Sequence, residues 1–221
     1  RLLRQQLLAG TIYFRGNDRS PDANIGDVAK ATGRVLGIAL PEVFNRFSEA
    51  AARVAAKDLE ALLTTENLRG LPAVFNQLSL VREEKGKPVF HTDVGPLCEV
   101  QKRIVDRHRY GETLSGRALT DWFASEPYGW DFDVVRLLVV CLLRAGKLEA
   151  VSASQVIDNA LSLEARTSLT NNNLFRQATF RPKESLDFTK VVEAYERFKD
   201  VFGKEVSELE QGVVARAIKD E

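Results

Sequence analysis

The sequence predicts a mainly α-helical protein with small β elements: a helical region, then a winged-helix unit, then a C-terminal helical hairpin. Two observations predict this fold class. Apolar residues recur at the three- and four-residue spacing of amphipathic helices over most of the chain. Residues 112–151 run in the order short helix, PYGW corner, apolar helix, glycine and short strand, which is typical of a helix-turn-helix followed by a wing. The predicted segments are 1–110, 111–182 and 183–221.

The first segment is predicted to be a series of helices broken by glycine and proline. The predicted helices cover residues 1–9, 25–39, 50–63, 73–81 and 96–110, and Pro41 is expected in the first turn of a further helix. The predicted strands are residues 10–16, rich in β-branched and aromatic side chains, and an edge strand at 88–91. Residues 17–24 and 83–87 are predicted to be polar turns.

Local signals define the corner between the two central helices. Ser115 is a suitable N-cap for the first helix. Pro127 biases the residue before it away from helical geometry, so the first helix should end just before this proline. Gly129 allows a tight turn, and Asp131 can cap the second helix and interact favourably with its dipole. Gly146 stands where the residue after a helix C-terminus belongs.

The second central helix is apolar nearly all round, because only Arg136 is polar between residues 134 and 143. Such a helix is buried. In DNA-reading modules the second helix presents polar side chains to base edges, whereas this one offers Asp131, Asp133 and Arg136, and the two acids repel phosphate. The sequence therefore favours a winged helix used as a packing module over one that reads bases directly.

The remaining elements are predicted to complete the wing and to add a helical hairpin. Strands at 147–151 and within 152–163 form the wing, followed by a helix at 163–169, a loop at 171–173 and a strand at 178–181. Ser185 or Asp187 is expected to cap a long helix that Gly203 ends. A final amphipathic helix extends over residues 206–218.

Composition and charge limit the classes of protein to which the chain can belong. The 221 residues include 31 lysine and arginine and 31 acidic residues, so no global field attracts the chain to nucleic acid or to a membrane. The longest apolar run, residues 134–143, is too short to span a bilayer. Cys98 and Cys141 lie in apolar helical patterns without a secretory leader, which predicts a cytoplasmic location. The chain begins with Arg1 and lacks methionine, and we expect it to be part of a longer protein.

The sequence lacks the usual signatures of catalytic sites. The Gly-Lys pairs at 86–87, 146–147 and 203–204 have neither the earlier glycine nor the following hydroxyl residue of a phosphate-binding loop. Residues 111–116 miss the spacing of a nucleophile elbow. His91 and Asp93 have no activated serine or cysteine beside them, and the short ligand pairs of a zinc site are missing. We therefore predict a non-catalytic chain without cofactor or metal.

One stretch concentrates basic residues. Residues 101–117 carry five lysine and arginine residues against Asp106 and Glu112, a net charge of +3. Two interpretations stay open: a face that contacts DNA phosphates regardless of base sequence, or the solvated side of the 96–108 helix, paired with acidic neighbours. The second is favoured. The candidate nucleic-acid contacts are Lys102, Arg103, Arg107, Arg109, Arg117 and Lys147.

Several corners of the chain resemble one protein family. Residues 127–136 (PYGWDFDVVR), running on into residues 143–146 (LRAG), resemble the distal region of the large P-loop ATPases of bacterial BREX phage-resistance systems, the BrxC/PglY type. The segments 10–16, 40–47, 111–116 and 175–182 fit the same region in the same order. The resemblance therefore spans most of residues 1–182.

The resemblance implies that the intact protein hydrolyses a nucleoside triphosphate and acts with partner proteins to block phage replication. The catalytic motifs would lie upstream, so none is assigned here. This segment would be a non-catalytic winged-helix module that contacts the parent ATPase, other defence-system subunits or duplex DNA, but no membrane. The alternative is a protein–protein scaffold without a nucleic-acid role, whose final helices form an oligomerisation surface. An enzyme with an unrecognised site is a third, less favoured alternative.

Overall fold

A computed structural model of the chain describes residues 2–20, 25–183, 188–207, 209 and 211–220. The protein is mainly α-helical with small antiparallel sheets, which confirms the predicted fold class. The chain divides into two compact units, residues 1–48 with 125–129 and residues 49–124 with 130–221. The predicted segments 1–110, 111–182 and 183–221 follow a different division, since helices before residue 110 pack against helices after it.

In the first unit a short β-hairpin lies between two helices. The elements are α1 (Leu2–Ala9), β1 (Tyr13–Phe14), β2 (Asn17–Asp18) and α2 (Val28–Val43). Arg15 and Gly16 form the turn with φ angles of 50° and 79°, which suit a two-residue hairpin loop. The strand predicted at 10–16 is confirmed but is shorter. The predicted loop 17–24 begins with its partner strand, and residues 21–24 lie outside the described residues.

Helix α2 contains Pro41, so the prediction that a new helix begins there is wrong. Asp27 caps the helix by accepting a 3.0 Å hydrogen bond from Lys30 N. Pro41 lies in the last turn, where its missing N–H removes one hydrogen bond. Phe44 N still donates to Leu40 O at 2.8 Å, so the helical hydrogen bonding continues past the proline.

The second unit holds the remaining helices and strands. The helices are α3 (Ala56–Thr64), α4 (Ala73–Gln77), α5 (Gly95–Arg109), α6 (Gly116–Ala124), α7 (Phe132–Arg144), α8 (Leu163–Thr170), α9 (Asn172–Gln177), α10 (Phe188–Phe202) and α11 (Gln211–Lys219). The strands are β3 (Val81–Glu84), β4 (Lys87–Phe90), β5 (Leu114–Ser115), β6 (Leu148–Ser152), β7 (Gln155–Ile157) and β8 (Thr179–Pro182). Short 3₁₀ turns cover Phe47–Ala50 and Leu68–Gly70.

Two helices before residue 82 are shorter than predicted. The helix predicted at 50–63 begins at Ala56, where the Asp58 carboxylate accepts a 2.8 Å hydrogen bond from Ala55 N and so anchors the first turn. The helix predicted at 73–81 ends at Gln77. Val81 instead begins β3, which pairs with β4 across a tight turn. The edge strand predicted at 88–91 is therefore one half of a hairpin.

The elements α5, β5, α6, α7, β6 and β7 follow one another in the order of a winged helix. The antiparallel sheet has the strand order β5-β8-β6-β7, and its wing hairpin β6–β7 confirms the predicted wing strands. Strand β8 lies between β5 and β6, with Phe180 opposite both Leu114 and Ala150. The unit thus departs from a simple winged helix, because a strand late in the sequence joins the wing to β5.

The loop predicted at 171–173 is wrong, because helix α9 begins there. Asn171 caps α9 by accepting hydrogen bonds from Asn173 N at 2.9 Å and Leu174 N at 3.1 Å. The helix packs closely against α6: a Cβ on Gly116 would lie only 2.0 Å from Phe175 O. This close approach requires glycine at the start of α6.

Helix α7 lies at the centre of the core of the second unit. Its residues from Val134 to Arg144 are all buried, as predicted. Gly146 follows it with a φ of 68°. Gly146 N donates to Leu143 O at 3.0 Å and Lys147 N to Leu142 O at 2.9 Å, so two terminal carbonyls of the helix are satisfied in a Schellman-type C-cap.

Helices α10 and α11 form the predicted C-terminal hairpin, whose inner face packs with strand β4. The buried cluster consists of Val89, Val191, Val192, Phe198, Val206, Leu209 and Val214. Lys87 Nζ adds a 2.7 Å hydrogen bond to Val206 O. Gly203, with a φ of 63°, ends α10 as predicted. The predicted caps Ser185 and Asp187 lie outside the described residues.

Candidate nucleic-acid interface

The corner between α6 and α7 is built by the residues that predicted it. Ser115 Oγ accepts a 3.1 Å hydrogen bond from the backbone N–H three residues later, and Asp131 Oδ1 accepts one of 2.8 Å from Asp133 N. Trp130 N donates to Phe123 O at 2.7 Å, and the two rings stack with centroids 4.9 Å apart. The start of α7 is thereby fixed against α6.

The polar side chains of α7 are engaged inside the protein. Arg136, which is buried, donates to Thr170 O at 3.1 Å and to Asn172 Oδ1 at 2.6 Å, and it also pairs with Asp133. At the other end of the helix, the buried Arg144 donates to a carbonyl of α3 at 2.6 Å. These bonds hold α7 against α8, α9 and α3. The helix that would read bases in a DNA-binding winged helix is a core helix here.

The wing is also poorly suited to DNA. Residues 148–157 contain no lysine or arginine, and their one charged residue is Glu149. Glu149 forms an ion pair with Arg181 of β8. Positive charge on the wing would attract the phosphate backbone of DNA, and this wing has none. Helix α7 and the wing, the two parts that usually contact DNA, are therefore both unsuited to it.

Four of the six predicted contacts lie on α5, and five of the six are paired with neighbours in the chain. The ion pairs are Lys102–Glu99 at 3.9 Å, Arg107–Glu112 at 3.3 Å, Arg109–Asp106 at 3.9 Å and Arg117–Asp121 at 3.6 Å. Arg103 lies over the ring of Trp122, 3.4 Å from its centroid. This arrangement agrees with the interpretation of a solvated helix side paired with acidic neighbours. Exposed pairs of this kind contribute at most about 1 kcal/mol each.

A shallow groove of about 400 Å³ brings three of the six candidates together. Lys102 and Arg109 come from α5, and Lys147 comes from the turn before β6. Two carboxylates, Asp93 and Asp106, line the same groove and offset most of this positive charge. The other three candidates do not line it. The groove could hold a phosphate group, but its mixed charge makes it a weak site.

Asp93 stays ionised in this groove. Burial alone would raise its pKa, but hydrogen bonds and charge from Arg82 hold the pKa of Asp93 below its ordinary value. Both carboxylate oxygens accept from Arg82 Nη1, at 3.1 Å and 3.0 Å. A negative charge therefore faces any anion that enters the groove at neutral pH.

A second surface lies on the outer side of the C-terminal hairpin, whose helices the sequence names only as the oligomerisation surface of the alternative interpretation. A groove of about 350 Å³ runs along α10 and is lined by both charged and apolar side chains. The signal that could have found it is a row of charges of alternating sign at residues 190, 193, 197 and 200. This surface is not basic, so it suits a protein partner better than nucleic acid.

Among the residues that the structure describes, no cluster of three or more His, Cys, Asp or Glu side chains is arranged to hold a metal ion. The same residues include no helix with the length and apolar character needed to cross a membrane. The two cysteines, Cys98 and Cys141, are not joined in a disulfide.

Comparison with family models, with curated proteins and with solved structures found no match to this chain. The resemblance to the BREX ATPases therefore depends only on the short sequence segments quoted for it, such as residues 127–136.

Proposed function

We propose that this chain is a non-catalytic interaction module, a scaffold that binds other protein surfaces within a larger phage-defence ATPase. The observation that carries the proposal is the burial of α7, whose Arg136 bonds to Thr170, Asn172 and Asp133 inside the protein. A helix-turn-helix whose second helix lies in the core does not present the polar side chains of that helix to base edges, so this burial argues against base readout. The lack of positive charge on the wing supports the same conclusion.

The assignment to a BREX-type ATPase is supported by the corners at residues 127–136 and 143–146 and by the segments that fit in the same order. A cytoplasmic location belongs to this proposal, in keeping with two cysteines that form no disulfide. The assignment to an ATPase is tested by sequencing the complete reading frame that encodes the chain. A phosphate-binding loop upstream of residue 1 is expected, and its absence from the complete frame would contradict the assignment to an ATPase.

Assays of DNA binding and of nucleotide hydrolysis test the proposal that the chain is a non-catalytic scaffold. Fluorescence anisotropy with a set of labelled duplexes of different sequence should show no preferred sequence, and the chain should hydrolyse no nucleoside triphosphate. Specific DNA-binding proteins prefer their site by about a thousandfold or more over other sequences. A preference of that size, or hydrolysis that copurifies with the chain and is lost in a site variant, would overturn the proposal.

A second candidate function, sequence-independent contact with phosphates, is favoured by the groove that gathers Lys102, Arg109 and Lys147. If all three meet phosphates, log K should fall with log salt with a slope of about −3. Replacing the three residues by glutamine should remove that slope. The matched control replaces Lys30, Arg53 and Lys57, which are exposed and lie outside the groove, and it removes the same net charge. Equal losses in both variants would contradict a defined site.

A further inference from the structure

Four charged residues form a row along the outer side of α10. Lys190, Glu193, Arg197 and Asp200 are all exposed, and their spacings of three, four and three residues place them on one side of the helix. Their signs alternate from the first residue to the last. Among the residues that the structure describes, none of the four has an ion-pair partner within 4.0 Å.

The other charged residues of α10 behave differently. Glu196 pairs with Lys85 at 3.1 Å, and Lys199 pairs with Glu205 at 2.7 Å. These pairs join α10 to neighbouring segments of its own chain. The outer row therefore differs from the rest of the helix in having no such role.

Apolar side chains lie beside the charged row. The groove along α10 is lined by Ala194, Phe198, Val201 and Phe202, together with Ile218 of α11. Val201 is 73% exposed, Phe202 42% and Ile218 45%. Side chains of this size gain free energy when a partner covers them, because their apolar surface leaves water. The groove and the charged row together form one outer face of the hairpin.

A partner for this face must bring apolar side chains and a row of charges with the complementary order of signs. An α10 helix from a second copy, running antiparallel, meets both requirements. When the two helices are centred on each other at Tyr195, Lys190 faces Asp200 of the second copy and Glu193 faces its Arg197. The two-fold symmetry of such a pair makes each contact twice. A parallel pair would place each charge beside its own copy, which is unfavourable.

We propose that α10 is a self-association surface, through which two copies of this chain pair antiparallel by their outer faces. The inference rests on the proposed scaffold function and names a second copy as its partner. One helix from each copy covers an area at the small end of specific interfaces, so we expect a dimerisation constant of about 10–100 µM. Because the charged pairs are near solvent, salt should weaken the dimer.

Sedimentation velocity of the chain over a concentration series at low salt tests the pairing. The wild type is expected to change from monomer to dimer. Glu193→Arg or Arg197→Glu alone should weaken the dimer by about tenfold, since each change places two like-charged pairs across the two-fold axis. The double variant Glu193→Arg/Arg197→Glu restores opposite signs and should recover the wild-type constant. Circular dichroism verifies that each variant remains folded.

Mixing two variants provides an independent test. Lys190→Glu/Arg197→Glu makes the row wholly acidic, and Glu193→Lys/Asp200→Lys makes it wholly basic. Each variant should sediment as a monomer alone, and an equimolar mixture should form a heterodimer. A control charge swap at Lys57→Glu and Glu164→Lys, exposed residues of α3 and α8, should leave the dimer unchanged.

Two results would overturn the pairing. One is a wild type that stays monomeric at several hundred micromolar, which is what a groove for a foreign helix would give. The other is a dimer that Arg197→Glu does not weaken. Either result leaves the scaffold proposal standing, because that proposal fails only with base-specific DNA binding or with hydrolysis by the chain itself.

Discussion

Helices α7 and α10 use their charged residues in opposite ways. In α7, Arg136 binds acceptors on α8 and α9, and Arg144 binds a carbonyl of α3. In α10, the outer row that begins at Lys190 and ends at Asp200 has no ion pair with the described residues. Between residues 134 and 143 of α7 only Arg136 is polar, whereas charged residues recur along the whole of α10, so the two sequences already differ in apolar content.

The difference follows from how much of each helix is buried. Core burial of α7 removes water from its polar groups, and such groups must find partners within the protein or destabilise it by several kcal/mol. The outer side of α10 stays in water, where an unpaired charge is inexpensive. Its side chains remain able to meet a partner. The surface that suits binding is therefore the charged row of α10, although the greater density of charge lies on α5.

The largest expected effect concerns the core role of α7. Leu138→Ala should lower the free energy of unfolding by about 2–5 kcal/mol, because the side chain is fully buried and its removal leaves a cavity. The matched control is Val201→Ala on the exposed side of α10, which should change the value by no more than about 0.5 kcal/mol. Urea denaturation followed by circular dichroism measures both. Equal effects would contradict the contrast between the helices.

The next largest effect concerns one arginine from each helix, Arg136 of α7 and Arg197 of α10. Arg136→Met keeps much of the side-chain volume but leaves Thr170 O and Asn172 Oδ1 without their donor. We expect a loss of about 1–3 kcal/mol in unfolding free energy. Arg197→Met is the control and should be neutral below the concentration of self-association. The contrast fails if denaturant midpoints move alike in the two variants.

Much of this contrast could be predicted from sequence because its causes are local. Pro127 restricts the backbone, Gly129 and Gly146 permit a positive φ, and Asp131 supplies a cap. The corner and the ends of α7 therefore follow from the chain itself. The burial of α7 follows from an apolar run with a single arginine. Acids three residues away likewise indicated that Lys102 and Arg109 of α5 would be paired.

Other features depend on contacts that the sequence does not show. Asparagine favours both loops and N-caps, and Asn171 became a cap where α9 packs on α6 at Gly116. Strand β8 enters the sheet between β5 and β6 through pairing over a long stretch of chain. Lys147 joins Lys102 in one groove although α6 and α7 separate them in sequence. Nonlocal packing determines each of these.

A smaller effect tests the inner face of the C-terminal hairpin. Lys87, whose side chain is 19% exposed, donates to Val206 O at 2.7 Å and lies over the Tyr195 ring. Lys87→Met should destabilise the protein by about 1 kcal/mol, since the carbonyl loses a partly buried donor. Lys85→Met removes the same charge from a side chain that is 58% exposed and should have a smaller effect. A thermal melt in which both variants match the wild type would refute an anchoring role for Lys87.

The smallest effect concerns acid stability at the end of α10. Hydrogen bonds from Lys199, at 2.7 Å, and from Lys87, at 3.4 Å, hold the pKa of the Glu205 carboxyl below its ordinary value. A carboxyl whose pKa is lower in the folded state stabilises the fold above its unfolded pKa, and this contribution disappears as the pH falls through the folded value. The stabilisation by Glu205 should therefore be complete at neutral pH and vanish only in acid, below about pH 4.

An NMR titration of the Glu205 carboxyl carbon measures this pKa directly. Lys199→Met should raise the pKa towards the ordinary value, because it removes the nearer of the two donors. Lys190→Met is the matched control: it removes the same charge from the outer row of α10 and should leave the pKa of Glu205 unchanged. If the two variants shift the titration equally, the shift reflects the net charge of the helix. Lys199, which is paired with Glu205, would then not differ from the outer row, which has no ion pair with the described residues.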